Sequence, residues 1–158
     1  MSEVAYLRLR INGVDVEGES TTASFDRDGT IECVAYRHEM AHPDDPVAGA
    51  RGSRLEHQPV TIMKRMDRTS PLLADALVRA MVVDSAELRF FRAHPFDGRD
   101  EHYFTLLLEE GRVTAIRQEL SQDPSSPGPL EEVDLTYSRI TWTDEVGGAA
   151  AEHEVARP

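Results

Sequence analysis

The sequence predicts a mostly-β domain with one α-helix. Short runs that alternate apolar and polar residues recur along the chain, as half-buried strands do, and turns rich in Gly, Pro, Asp or Ser separate them. Apolar residues at helical spacing stand out in one segment, near residues 70 to 82. A length of 158 residues fits one domain with one core. Together these features predict an antiparallel β-barrel or sandwich with a flanking helix.

Seven extended runs make up the predicted sheet. They cover residues 4 to 11, 30 to 40, 55 to 66, 86 to 93, 101 to 109, 112 to 120 and 131 to 143. Pro59 lies inside the third run and predicts an edge or a bulge there, because proline cannot donate to a ladder of strands. Glu110 and Gly111 predict a tight turn between the fifth and sixth runs.

The helix has a clear start in the sequence. Ser70 is a favoured N-cap residue, and Pro71 suits the first helical position. An apolar stripe follows, made of Leu72, Leu73, Ala76, Leu77, Ala80 and Met81. The spacing predicts a helix near residues 70 to 82 that packs this stripe against the sheet.

The last run and the end of the chain lead to two further predictions. Strand alternation from Val133 places Tyr137 on one face and Trp142 on the other, so apolar residues occur on both faces. Part of the outer face is therefore expected to be covered by the helix or by another subunit. The chain then divides into a barrel domain over residues 1–145 and a disordered tail over residues 146–158, which is small and polar in composition.

Charge and composition exclude several classes of function. A formal net charge of -12 argues against a nucleic-acid partner, because phosphate binding needs a basic surface. No apolar run has the roughly 18 residues that a membrane span needs. The start of the chain lacks the apolar stretch of a cleavable export signal, which predicts folding in the cytoplasm. Cys33 is the single cysteine, so neither an internal disulfide nor a cysteine metal cage is expected.

One short motif could carry chemistry. Residues 38 to 42 read His-Glu-Met-Ala-His, which matches the zinc-binding H-E-x-x-H pattern. That pattern works on a helix, whereas here a strand-like run precedes it and Pro43 follows it. On a strand His38 and His42 would lie about 13 Å apart, at roughly 3.3 Å per residue, too far to share one ion. No metal, cofactor or catalytic residue is therefore predicted.

Four segments, in order, resemble the Hcp family, the tube-forming proteins of bacterial type VI secretion systems. The segment EHQPVTIMKRMDRTSPLLADAL is similar to a strand in that family that leads through an acidic turn into a Ser-Pro-Leu-Leu helix start. YFTLLLEEGRVTAIRQEL and EEVDLTYSRITWTDE resemble its closing strands, and residues 18 to 20, Gly-Glu-Ser, match its first turn. The resemblance covers residues 4 to 145.

This resemblance implies a structural protein and not an enzyme. It implies an Hcp-like β-barrel whose six copies form a ring, with rings stacked into a hollow tube. The expected partners are a VgrG-type spike, contractile sheath and baseplate proteins, and small effector proteins carried in the lumen. Such a subunit would leave the cytoplasm through the type VI system without a cleaved signal peptide, and without inserting into a membrane.

The resemblance also directs attention to particular residues. The family loop that corresponds to residues 41 to 54 reaches the next ring, and here it carries Asp44 and Asp45 against Arg51 and Arg54. These opposite charges could pair across stacked rings or within the loop. Contacts between neighbouring subunits are expected from the aromatic residues Phe90, Phe91 and Trp142.

Three alternatives remain open at this point. An Hcp-like ring could act as an adaptor or effector carrier that does not polymerise, an option raised by the unusual loop. A zinc hydrolase would rest on the His-Glu-Met-Ala-His motif alone. A monomeric ligand-binding barrel would need a closed apolar cavity.

Overall fold

The fold is an antiparallel β-rich structure with one α-helix, as the sequence predicts. A computed structural model describes residues 3–43 and 55–155. The strands are β1 (Val4–Ile11), β2 (Val14–Val16), β3 (Ile31–Arg37), β4 (Met40–Ala41), β5 (Glu56–His57), β6 (Val60–Arg65), β7 (Val83–Ala93), β8 (Asp100–Gly111), β9 (Val113–Glu119), β10 (Leu130–Leu135), β11 (Arg139–Asp144) and β12 (Ala150–Glu154). The helix is α1 (Ser70–Val78), and a 3-10 turn spans Ser24–Asp26.

One large sheet contains ten of these strands. Its hydrogen-bonded order is β12-β11-β8-β7-β1-β3-β6-β10-β9, with β2 paired to β1, while β4 and β5 form a separate pair. Alternate residues of the strands point inward, and Leu7, Ile62, Leu88 and Val133 are fully buried in one shared core. Within the described residues, no helix is long and apolar enough to cross a membrane.

A bend, here called the corner, connects the part of the sheet that contains β8 and β11 to the part that contains β9 and β10. The strand β8 runs into β9 at Gly111, and β10 runs into β11 through residues 136–138. Across the corner the Thr136 N–H donates to the Arg112 carbonyl at 2.9 Å, and the Ser138 N–H donates to the Glu109 carbonyl at 2.9 Å. The ladder β8/β11 therefore continues into the ladder β9/β10. The sheet returns on itself through one bent pair of strands, although its edge strands β9 and β12 are not paired with each other in the described ranges.

The predicted tight turn at Glu110 and Gly111 is thus a corner and not a hairpin. Glu110 has a positive φ of 51°, which bends the chain there. Gly111 is required for a different reason, since a Cβ at this position would overlap the Thr136 carbonyl. After the bend β9 takes β10 as its partner, so β8 and β9 lie in different parts of the sheet.

The same corner corrects the prediction that the last run has apolar residues on both faces. That run is two strands, β10 and β11, and residues 136–138 between them shift the alternation. As a result Tyr137 and Ile140 both lie in the core, at 8% and 0% exposure, and Trp142 packs against the same core. The apolar residues of this run therefore supply no outer apolar face.

Two other boundaries differ from the prediction. The helix ends at Val78 and not near residue 82, because Ala80 adopts a positive φ of 51° and β7 begins at Val83. Thr69 occupies the N-cap, while Pro71 lies in the first helical turn as expected. The Ser70 side chain, predicted to cap the helix, instead bonds to a neighbouring strand.

The disorder predicted after residue 145 does not hold for β12. Residues Ala150–Glu154 pair with β11 over five residues, in register from Arg139 opposite Glu154 to Thr143 opposite Ala150. Backbone hydrogen bonds stabilise this strand, because the Asp144 N–H donates to the Ala149 carbonyl at 2.8 Å and Val155 N–H donates to Ser138 at 2.8 Å. A strand that is exposed at every residue carries no apolar signal in the sequence.

A buried ion pair fixes α1 to the end of the sheet. The Lys64 Nζ on β6 lies 2.8 Å from a Glu131 oxygen on β10, and both side chains are fully buried. The Ser70 hydroxyl donates to the same oxygen at 2.8 Å, and Lys64 also lies 3.0 Å from Asp67. Burial alone would raise the pKa of Glu131, but hydrogen bonds from Lys64, Ser70 and Gln118 outweigh it and lower that pKa.

The corner yields a first prediction. Gly111→Ala is expected to lower the free energy of unfolding by on the order of 3 kcal/mol, because the added Cβ must displace the Thr136 backbone. The thermal midpoint should fall by roughly 10 °C. Glu110→Gly is the matched control, since glycine accepts the positive φ at position 110, and its effect should stay within about 1 kcal/mol. Equal melting temperatures for G111A and the unsubstituted protein would contradict the close approach.

The ion pair yields a second prediction. Lys64→Met leaves the Glu131 carboxylate buried without its cation and is expected to cost about 3–5 kcal/mol in urea unfolding. The double variant K64M/E131L removes both charges and should recover a large part of that loss. A double variant that is no more stable than K64M would show that the two charges are not coupled.

Candidate assembly surfaces

The described part of the sheet ends in two edge strands, β9 and β12, and α1 lies close beside β9. β9 pairs only with β10, and β12 pairs only with β11, among the strands that the structure describes. At the two ends of the β11/β12 ladder the Ala149 carbonyl accepts from the Asp144 N–H and the Val155 N–H donates to the Ser138 carbonyl, so the backbone groups of residues 149 and 155 point toward β11. By strand alternation the N–H of Glu152 points outward, away from β11. Backbone groups of an edge strand that are not covered can pair with another strand.

Charged side chains fasten β12 to its neighbours. Arg139 on β11 lies 2.6 Å from a Glu154 oxygen, 3.4 Å from Glu152 and 3.9 Å from Glu109 on β8. The hydrogen bond to Glu154 and the charges of these carboxylates raise the pKa of Arg139. The carboxylates of β12 are thus engaged on the outer face, while His153 lies on the core side, opposite Ile140.

The aromatic residues predicted at subunit contacts occupy three different environments. Phe91 is 1% exposed and lies inside the subunit, so its ring is not on the surface. Phe90 is partly exposed at one end of the sheet, with ring centroids 5.2 Å from Tyr36 and 6.0 Å from Phe104. Trp142 is partly exposed beside Ala151 of β12. The structure does not bring the three residues together, and their role between subunits stays a prediction.

Phe91 belongs to a second, smaller buried cluster on the outer side of the sheet. The Arg27 guanidinium lies 4.2 Å from the Phe91 ring centroid and 5.1 Å from that of Tyr6, and it is bonded to Asp100 at 2.8 Å. This cluster supports the turn at Phe25, whose φ of 57° is unusual for a bulky residue. Sequence patterns miss it because its arginine comes from a loop.

The charged residues predicted to link stacked rings, Asp44, Asp45, Arg51 and Arg54, lie outside the described residues. The structure does describe the chain on either side of them. Met40 pairs with His57, and Ala41 pairs with Glu56, so the short pair β4/β5 holds the two ends of this segment together. The segment therefore leaves and re-enters the fold at one place.

At that place several histidines meet a buried tyrosine. The Tyr137 hydroxyl lies 2.7 Å from the His38 Nε2 and 2.8 Å from the His57 Nδ1. The His57 ring stacks on His153 of β12, with centroids 5.1 Å apart. Burial raises the pKa of Tyr137 and lowers the pKa of both His38 and His57. These residues are far apart in sequence, and no local motif indicates that they meet.

This arrangement does not support the zinc-hydrolase alternative. His38 follows β3, and its Nε2 is engaged with the Tyr137 hydroxyl at 2.7 Å. Over residues 3–43 and 55–155, no group of three histidine, cysteine or carboxylate side chains is placed to hold a metal ion. Burial raises the pKa of the Cys33 thiol to about 12, which keeps it protonated and unreactive at neutral pH.

The ligand-binding barrel is not favoured either. Core side chains fill the inside of the sheet, and Leu73 and Ala76 of α1 complete the packing at 0% exposure. A cleft of about 290 Å³ beside β12 is lined by Asp84, Glu109, Glu110, Ser138, Arg139, Glu154 and Val155. Its lining is mostly charged, unlike the apolar cavity that this alternative requires.

Known proteins resemble this chain in sequence and in fold. The family model described as "Type VI secretion system effector, Hcp" matches residues 6–143. The "Major exported protein" of Pseudomonas aeruginosa is 35% identical over 127 residues, which cover 78% of this chain and 73% of that protein. A solved structure described as Hcp1 from E. coli EAEC 042 is 28% identical, with a TM-score of 0.81 and coverage of 96% of this chain and 97% of that one.

Two further structures share the fold at lower identity. A crystal structure of an Hcp protein has a TM-score of 0.89 at 22% identity, covering 99% of this chain and 100% of that one. The secreted protein Hcp3 from Pseudomonas aeruginosa has a TM-score of 0.80 at 24% identity, with coverage of 99% and 100%. The family match spans nearly the whole sheet, from β1 to β11, and the resemblance seen in the sequence is confirmed. The chain belongs to the Hcp family of the type VI secretion system.

Proposed function

We propose that this chain is a subunit of the type VI secretion inner tube, with six copies forming a ring and rings stacking into a hollow tube. Membership of the Hcp family supports this role. The observation that carries the ring is the pair of edge strands, β9 and β12, which end the strand order of one sheet in the described part of the chain. The function is then performed by surfaces, and the subunit catalyses no reaction.

The edges suggest how the ring closes. Pairing β12 of one copy with β9 of the next is a heterologous contact, because two different surfaces meet. Heterologous contacts repeated around an axis give a closed ring when the rotation between copies divides a full turn. Both edge strands are long enough to form a regular ladder, with five residues in β12 and seven in β9. In such a ring the sheets of all the subunits would be continuous.

The remaining parts of the proposal concern partners and location. The segment between β4 and β5 would reach the next ring, where pairing of Asp44 and Asp45 with Arg51 and Arg54 of another copy would compete with pairing of the same charges within one loop. The tube would meet a VgrG-type spike, the sheath and the baseplate, and would carry small effectors in its lumen. The subunit would fold in the cytoplasm and leave it through the type VI system, without a cleaved signal peptide.

The ring has a direct test in solution. Light scattering over a concentration series, at moderate salt to screen the net charge of -12, is expected to give about six times the subunit mass of 17.7 kDa. Electron microscopy of the same sample should show rings and, at high concentration, tubes. A monomer at every concentration would refute the ring. Rings that never stack would favour the adaptor or effector carrier that does not polymerise.

The edge contact is tested by one backbone hydrogen bond. Glu152→Pro removes an N–H that points away from β11, so the subunit should stay folded while the ring loses a donor at every interface. The concentration for half assembly should rise at least about tenfold, measured by sedimentation. Glu152→Ala is the matched control, since it loses the same ion pair to Arg139 but keeps the N–H. Equal assembly of E152P and E152A would exclude β12 as the contact.

A further inference from the structure

We infer that His38, His57, Tyr137 and His153, the histidine clamp, form an acid-sensitive latch that holds the edge strand β12 against the body of the subunit. The clamp brings together four parts of the chain. His38 follows β3, His57 lies on β5, Tyr137 lies in the corner, and His153 lies on β12. Its proposed effect is to release β12 when the histidines become protonated. The consequence for assembly, but not the latch itself, rests on the proposed function.

The hydrogen-bond arrangement around Tyr137 fits the neutral form of the histidines better than the protonated form. The single hydroxyl proton can be directed to the Gln58 carbonyl at 3.5 Å, which leaves the hydroxyl oxygen to accept from His38 and His57. In that arrangement the His57 Nε2 carries no proton. This nitrogen is buried and has no hydrogen-bond partner among residues 3–43 and 55–155. Protonation of His57 would place an N–H there without an acceptor, beside the ring of His153.

Nearby carboxylates do not offset a positive charge in the clamp. The pKa of His57 is lowered by burial and then by His153, and the pKa of His38 is lowered by burial and then by His57. No carboxylate is among the causes of either shift. The groups that can carry a charge near the clamp include Glu32, Tyr36 and Arg37 on β3, Glu39 beside His38, His42 after β4, Glu56 on β5, Arg139 on β11, and, on β12, Glu152 and Glu154. The last two point to the opposite face of β12, where Arg139 binds them.

The sign of the pH dependence follows from these shifts. A histidine whose pKa is lower in the docked state than its ordinary value of 6.5 takes up its proton more readily when β12 is released. Docking is therefore fully stable above pH 6.5 and weakens as the pH falls below it. The opening equilibrium should rise by up to about tenfold per pH unit for each histidine that gains a proton on release.

Trp142 reports the docking of β12 directly. It is the single tryptophan of the chain, it is partly buried against the core, and it lies opposite Ala151 of β12. Release of β12 would expose its indole ring and shift its emission to longer wavelength. Protection of the β12 amides against hydrogen exchange, corrected for the intrinsic pH effect, gives a second measure of the same opening.

The test compares the protein with variants from pH 7.5 to pH 5. The unsubstituted protein is expected to show the tryptophan shift and a loss of β12 protection below pH 6.5. His153→Phe keeps a ring against His57 but removes the imidazole that can be protonated on β12. His57→Phe removes the imidazole whose Nε2 is buried. Both variants should lose most of the pH response. His94→Gln, in the loop between β7 and β8, is the control and should behave as the unsubstituted protein.

Each failure has a distinct meaning. An unchanged tryptophan signal down to pH 5, or an equal response in H57F, H153F and the unsubstituted protein, would overturn the latch. If a variant fails to fold, NMR titration of the histidines in the unsubstituted protein is the test. Measured pKa values of His38 and His57 at or above 6.5 would overturn the latch. Absence of a ring at pH 7.5 would refute the proposed function alone, because the latch is measured within one subunit.

Discussion

The close approach of Gly111 to the Thr136 carbonyl is the constraint on which the rest of the structure depends. It lets two strands cross from one part of the sheet to the other without losing their hydrogen bonds to each other. Because those strands bend together, the sheet returns on itself and encloses a single core. The bend also sends β9 and β12 to separate edges, and it places Tyr137 where a strand end, a short hairpin and the last strand meet. Two edge strands and a cluster of histidines thus depend on the absence of a side chain at position 111.

Buried polar groups fix the position of the elements that apolar packing leaves undetermined. The helix contributes few buried residues of its own, and Lys64, Ser70 and Glu131 set its start against two strands. On the other side of the sheet, the Arg27 side chain packs against aromatic rings and pairs with Asp100. An aliphatic residue at position 27 could pack there but could not pair with Asp100. Removing Lys64 or Glu131 would leave the other charge fully buried, and removing Asp100 would leave the Arg27 charge buried, so each of these losses is costly.

The sequence predicts those parts of the fold whose signals are local. Alternation locates most strands, and the Ser-Pro start and apolar stripe locate the helix, because neighbouring residues decide those patterns. The corner could not be predicted in this way, since a Glu-Gly pair is equally compatible with a hairpin, and the choice depends on which strand pairs with β9. The predicted alternation also put Trp142 on the face opposite Tyr137, because the sequence does not show that residues 136–138 shift the alternation. The strand β12 lacks large apolar residues. It is stabilised by backbone pairing with β11 and by the ion pair between Arg139 and Glu154. The histidines of the clamp come from distant parts of the chain, and only the folded structure brings them together.

One feature of the core determines how this protein can be modified chemically. Lys64 is the single lysine of the chain, and its side chain is fully buried. Amine-reactive labels, lysine-directed cross-linkers and enzymes that acylate or conjugate lysine therefore find no lysine target on the folded subunit. Apart from the α-amino group of the chain, an amine becomes reactive only when the ion pair with Glu131 opens. Lysine labelling is thus a probe of unfolding in this protein, whereas mapping its contacts in an assembly calls for reagents that react with carboxylates or arginines.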